Sequence, residues 1–325
     1  MVRLLSEKSK AQIQIFLSGI LMGTIGFFLL GLNLLSTNAI VALRGLFGAL
    51  IIFPILLLSK KLGYIKKLFF SHPWLTILQS FTGPVLIYCY FYAIQHLGYG
   101  TAVFLLKTGP IFSVFFMSLF LKRYPDKYDV LAFLITMIGV LILTQPWDLA
   151  SSSESYWKGI LIGLISGVLM GAANVFRIMI FDKSRLYQDT ALTNSIISSE
   201  GLSETKLSDD LIYSSLSLIF LETLVMFVMF SLLDFSYFRT MLPIHWVIAF
   251  GLGLIPTVIA FFLRNIALKH DEAGDVLIFS YSETIMGALL TAILDHELTL
   301  FLILSGMCIL VANGIVALKP KKNLP

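Results

Sequence analysis

The sequence predicts an all-α integral membrane protein with ten transmembrane helices in two inverted repeats of five. Three observations lead there. Of the 325 residues, 58% are hydrophobic and 13% charged, with a mean hydropathy of +0.90, a composition that no soluble domain of this length shows. Apolar stretches long enough to cross a hydrocarbon core about 30 Å thick recur from end to end. The basic residues collect in alternate loops.

The spans fall at 13–32, 36–58, 74–95, 98–121, 127–144, 159–181, 211–233, 244–269, 274–294 and 299–318. Segments this long and apolar must satisfy their backbone groups internally, so they are helices. Barrel strands would be about 10 residues long with alternating polarity. The first span follows MVRLLSEKSK and is too long for a signal-peptide core, so it is expected to be retained. Cys89 and Cys308 lie inside spans, which removes them from any exposed disulfide framework.

With the N-terminus inside, 17 of the 23 Lys and Arg fall on the cytoplasmic side and only Lys158 and Arg239 outside. That asymmetry predicts both termini in the cytoplasm and an even number of spans; the membrane is expected to be a bacterial inner one. Lysines scattered over short loops do not form a nucleic-acid surface.

A repeat is visible at about half the chain length. Gly19 and Gly23 of the first span match Gly163 and Gly167 of the sixth, as two small-residue faces. At an offset of 174, Ala93 and His96 meet Ala267 and His270, and YGTAVFLLKTGPIFSVFF from Tyr99 overlies AGDVLIFSYSETIMGALL from Ala273. One added residue later, Gly139 meets Gly314. Five helices per repeat place the second half upside down, with a substrate site at the midplane. The expected units are 1–150 and 156–325. The polar stretch 182–210 is read as a flexible or partly helical cytoplasmic insert.

These segments resemble the EamA branch of the drug/metabolite transporter superfamily. The resemblance covers nearly the whole chain and implies ten helices in two inverted repeats. Pro110 and Glu297 fit the midspan proline and acidic helix end frequent in that family. Thr284 stands at the second proline position, and Lys122 and Arg123 replace the first acidic end. The resemblance implies export or exchange as often as uptake.

Charges inside spans point to the site. Arg44, Lys107, Glu222 and Glu283 lie near midspan, and at insertion-scale costs they total roughly 10–14 kcal/mol. They are expected to face a central cavity. Lys107 aligns with Tyr281 and Glu283 with Gly109, and the resemblance implies that both helices line the central cavity, so the sharper expectation is that Lys107 and Glu283 hold a carboxylate and an ammonium of one substrate. The plainer reading is a structural ion pair, Lys107–Glu283 or Arg44–Glu222. Arg177 and Arg264, near span ends, are expected to snorkel.

Pro110 is expected to kink the fourth span beside Lys107. Ser280, Tyr281 and Ser282 supply hydroxyls near Glu283. Tyr88 and Tyr92 share a helix face, as an aromatic belt or a cavity wall. Gln79, Asn174 and Asn265 are expected to bond between helices. No Walker motif, metal-ligand cluster or nucleophile–base set is visible, and all five histidines fall at span ends or in loops.

The function expected is secondary transport, without cofactor, of small polar metabolites, most simply amino acids or their derivatives, by alternating access. S-adenosylmethionine, nucleosides, sugar phosphates or nucleotide sugars are the alternatives. A channel or an intramembrane enzyme fits less well. Coupling to protons or a counter-substrate is left open: an unpaired Glu283 could carry a proton, a paired one would stay ionised.

Overall fold

The computed structural model describes residues 7–122, 125–144, 153–193, 203–236, 239, 241–267, 282–294 and 300–317. Their regular elements are all helical. The first half carries α1 (Glu7–Gly23), α2 (Ile25–Gly31), α3 (Thr37–Leu58), α4 (Gly63–Ser71), α5 (Pro73–Leu97), α6 (Tyr99–Leu106), α7 (Gly109–Leu121) and α8 (Lys127–Thr144). The second half carries α9 (Glu154–Thr193), α10 (Ser203–Leu233) and α11 (Pro243–Gly253). A π-helical turn (Leu254–Ile259) leads from there into α12 (Ala260–Ala267), followed by α13 (Ser282–Leu294) and α14 (Leu300–Ala317).

Among the described residues seven helical stretches are long and apolar enough to cross a bilayer: Lys10–Gly31, Thr37–Leu58, Pro73–Leu97, Tyr99–Phe120, Glu154–Phe181, Ile212–Leu233 and Pro243–Ala267. Helices α8, α13 and α14 stand at the three remaining expected positions. The backbone of the polar stretch after residue 181 stays helical to Thr193, and helix resumes at Ser203.

Local chemistry sets the helix ends. Ser36 caps α3 by accepting from the Ala39 amide at 3.2 Å, the usual work of a serine at this position. Pro73 and Pro243 open α5 and α11, where the missing N–H leaves nothing unpaired.

Side-by-side packing relies on glycine. A methyl group on Gly45 would come within 2.6 Å of the Thr223 carbonyl, and one on Gly48 within 2.6 Å of the Thr223 side chain. Helices α3 and α10 therefore touch almost backbone to backbone. On α9, Gly163, Gly167 and Gly171 form a groove four residues apart that receives Leu105, Thr108 and Phe112. The principal pairings are α3 with α10, α5 with α9, α8 with α14, α7 with α9, α1 with α12 and α13, α5 with α10, α3 with α11, and α6 with α13.

The outer surface is apolar, with Phe53, Phe81, Leu134, Leu161, Val228 and Met307 among its exposed side chains. The charged residues inside the spans point the other way. Arg44, Lys107, Arg177, Glu222, Arg264 and Glu283 are all at most 5% exposed. In a bilayer this inversion keeps charge off the acyl chains.

Candidate functional site

Three of the crossing stretches are irregular, and the irregularities frame the centre. Helix α6 ends at Leu106 and α7 begins at Gly109 with Pro110 in its first turn, so the fourth span is broken at Lys107 and Thr108. Proline cannot donate to the preceding turn. Thr108 fills part of the gap, its hydroxyl donating to the Leu105 carbonyl at 2.7 Å. A second break, at Thr24 between α1 and α2, leaves the Gly23 carbonyl to accept from the Tyr99 hydroxyl at 2.9 Å.

The third irregularity is the π-helical turn. Pro256 within it has no N–H to offer Leu252, whose carbonyl instead accepts from the Thr257 hydroxyl at 2.9 Å. The Pro256 carbonyl accepts from Arg44 Nη2 at 3.3 Å. Pro256 carried no weight in the sequence reading, although a proline inside a span is the signal that could have found the turn.

A cavity lies among these breaks. Its wall includes Met22 and Ile25 around the first break, Gly83, Leu86, Ile87 and Tyr90 from α5, and Leu106 just before the second. It is completed by Met170, Ala173 and Arg177 from α9, Ile219, Glu222, Thr223 and Met226 from α10, and Thr257 and Phe261. Its polar chemistry centres on Glu222. That carboxylate accepts from Arg177 Nη2 at 3.1 and 3.0 Å and from Gln79 Nε2 at 2.7 Å. Gly83 lets the carboxylate lie close against α5: a methyl group there would stand 3.3 Å from the carboxyl carbon.

Beside this wall Lys107 Nζ meets Glu283 Oε2 at 2.5 Å, with both side chains almost fully buried. Glu283 Oε1 has no hydrogen-bond partner among the described residues. Of the expected pairs, Lys107–Glu283 therefore exists as an ion pair, next to the cavity lining rather than in it. The Arg44–Glu222 pair is replaced by Arg177–Glu222. The reason is rotation about α3: Gly45 and Gly48 face α10, which swings Arg44 toward Phe91 and Phe261, 5.3 and 5.9 Å from its guanidinium carbon.

The expectation that Arg177 and Arg264 snorkel is corrected too. Both are 4% exposed. Arg177 finds a carboxylate and the face of Phe261, 5.0 Å away. Arg264 Nη2 donates to Asn174 Oδ1 at 3.1 Å. Inward partners of this kind compete successfully with a reach toward the interface.

The remaining expected residues distribute as follows. Ser282 donates to the Phe16 carbonyl on α1 at 2.8 Å. Tyr88 stacks on Phe230, and Tyr92 on His96; it is Tyr90, between them, that lines the cavity. Asn174 and Asn265 bond across helices to Ser113 and Ser215. Tyr281 lies outside the described residues, as do Ser280, His270, His296 and Glu297. Among the described residues no His, Cys, Asp and Glu cluster has the makings of a metal site.

A helical bundle with an apolar exterior and its span charges turned inward defines an integral membrane protein. Residues 9–145 match the EamA-like transporter family. Over 99 residues the chain is 29% identical to the pseudopaline exporter CntI of Pseudomonas aeruginosa, in two strains. The matched stretch is 30% of this chain and spans about a third of the relative (34%). A solved protein structure shares the fold with a TM-score of 0.60 at 16% identity, covering 95% of this chain and 97% of its own.

Proposed function

We propose that the protein is a secondary transporter that moves small polar metabolites, amino acids or their derivatives, by alternating access across a bacterial inner membrane. The observation that carries this reading is the inward burial of six charged side chains, two of which, Arg177 and Glu222, line a cavity bounded by broken helices. Groups this costly at bilayer depth are retained where solute or ions pass. Broken helices beside a midplane cavity are what carriers use to bind and to flex.

The architecture proposed is ten spans in two inverted repeats, 1–150 and 156–325, with 182–210 as a cytoplasmic insert and both termini cytoplasmic. The pairings support it. Exchanging each span for its counterpart five places along turns α5–α9 into α12–α1, α7–α9 into α13–α1 and α5–α10 into α11–α3, all of which occur, while α3–α10, α8–α14 and α6–α13 map onto themselves. The named relative is an exporter, which favours outward movement.

The substrate-contacting set proposed is Glu222, Arg44, Lys107 and Glu283, with Tyr281, Ser282, Tyr88 and Tyr92 around them and Arg177 added as the partner of Glu222. The test is counterflow in proteoliposomes. Vesicles preloaded with unlabelled amino acid should accumulate labelled amino acid transiently and saturably. Flux that rises linearly with concentration would mark a channel; no counterflow with amino acids, S-adenosylmethionine, nucleosides or sugar phosphates would end the carrier reading.

A further inference from the structure

Among the described residues the six inward charges do not balance: four are cations, Arg44, Lys107, Arg177 and Arg264, and two are carboxylates, Glu222 and Glu283, while the buried Asp129 lies in the first turn of α8. Each carboxylate already has its cation, Lys107 for Glu283 and Arg177 for Glu222. Among the described residues neither Arg44 nor Arg264 forms an ion pair with a carboxylate, although Glu222 and Glu283 act on both from beyond contact distance. Arg264 leans on the neutral amide of Asn174.

Arg44 is the more exposed case chemically and the less exposed sterically. Its accessibility is zero, its hydrogen bond goes to a backbone carbonyl, and its Nε and Nη1 have no partner among the described residues. A guanidinium cannot shed its charge to relieve such a position as a lysine can. Its five N–H groups are matched to carboxylate and phosphate oxygens. Arg44 also sits close to the lining: it and Arg177 flank the same cavity residue, Phe261, each within 6 Å of the ring.

Building on the transporter reading, we infer that the cavity accepts substrates bearing a net negative charge, whose carboxylate or phosphate group is drawn to the positive excess centred on Arg44. The Arg177–Glu222 and Lys107–Glu283 pairs, each internally neutral, then serve the polar remainder of the solute. A zwitterion would leave the excess uncompensated; a cation would add to it.

The experiment uses the purified full chain in detergent and three solute pairs matched in shape but not in charge: glutarate with glutaramide, L-glutamate with L-glutamine, and glycerol 3-phosphate with glycerol. Thermal unfolding is followed against solute concentration, since a ligand of the folded state raises the midpoint. The anionic member of at least one pair should raise it by several degrees while its neutral counterpart does not; the first two pairs report a carboxylate and the third a phosphate. Arg44→Gln should weaken that response at least tenfold in midpoint concentration, and Arg44→Lys should restore part of it. Neutral members stabilising as well as the anions, or no response from any of the six, overturns the anion assignment. The wild-type comparison decides the matter even if Arg44→Gln fails to fold. Saturable counterflow of a neutral amino acid would leave the carrier reading standing without it.

Discussion

At the scale of single residues, what matters is which partner each buried charge has found. Removing one member of a buried ion pair leaves an uncompensated charge and costs about 3–5 kcal/mol, whereas replacing both with apolar groups is often neutral. Lys107 and Glu283, 2.5 Å apart and almost fully buried, meet those conditions. Lys107→Met alone and Glu283→Gln alone should each lower the unfolding midpoint strongly in detergent, and the double variant should recover most of the loss. Additive losses would show that the pair is not coupled. Hydropathy gave the depth of all six charges but not the direction in which each one points. Residues 177 and 222 lie on different helices, and their meeting depends on how α9 and α10 are rotated, a quantity set by the glycine contacts of neighbouring helices and not by local pattern.

At the scale of elements, the glycine groove on α9 seats the broken fourth span. A methyl group on Gly167 would fall 2.1 Å from Thr108 Oγ1 and 2.7 Å from the Leu105 carbonyl, too close for a backbone to yield cheaply. Gly167→Ala should destabilise by about 1–3 kcal/mol as overpacking does, read as a lowered melting temperature. Gly63→Ala, where nothing lies within 4 Å, should be neutral or slightly stabilising, because alanine restricts the unfolded chain. The break at Lys107 and Thr108 could be read from Pro110, since a missing donor has the same effect in every helix. The break at Thr24 could not: no proline marks it, and the Tyr99 hydroxyl that takes the Gly23 carbonyl comes from 76 residues away.

At the scale of the whole molecule, the halves are tied at both ends of the bundle as well as at its centre. At one end Ser36, the cap of α3, donates to Asp234 Oδ2 at 2.6 Å while Ser236 donates to Asp234 Oδ1 at 2.7 Å. These hydrogen bonds hold the Asp234 carboxyl below its ordinary range. A depressed carboxylate stabilises above its unfolded pKa, and that stabilisation is lost as pH falls through the folded value. Wild type should therefore melt above Asp234→Asn at neutral pH, and the two curves should converge as the pH drops below about 4; a constant gap would assign the effect to something other than ionisation. At the other end Lys61 lies over both Tyr64 and Tyr213, 5.6 and 5.0 Å from their rings. The loop preceding α4 and the start of the Ile212–Leu233 stretch thus share a face. Between these ends the guanidinium of Arg44 grips a carbonyl in the π-helical turn, so α3 acts as a strut against a bowed neighbour. Were that side chain to swing away, the Pro243–Ala267 stretch would lose this tie and its π-helical turn would be freed to change curvature.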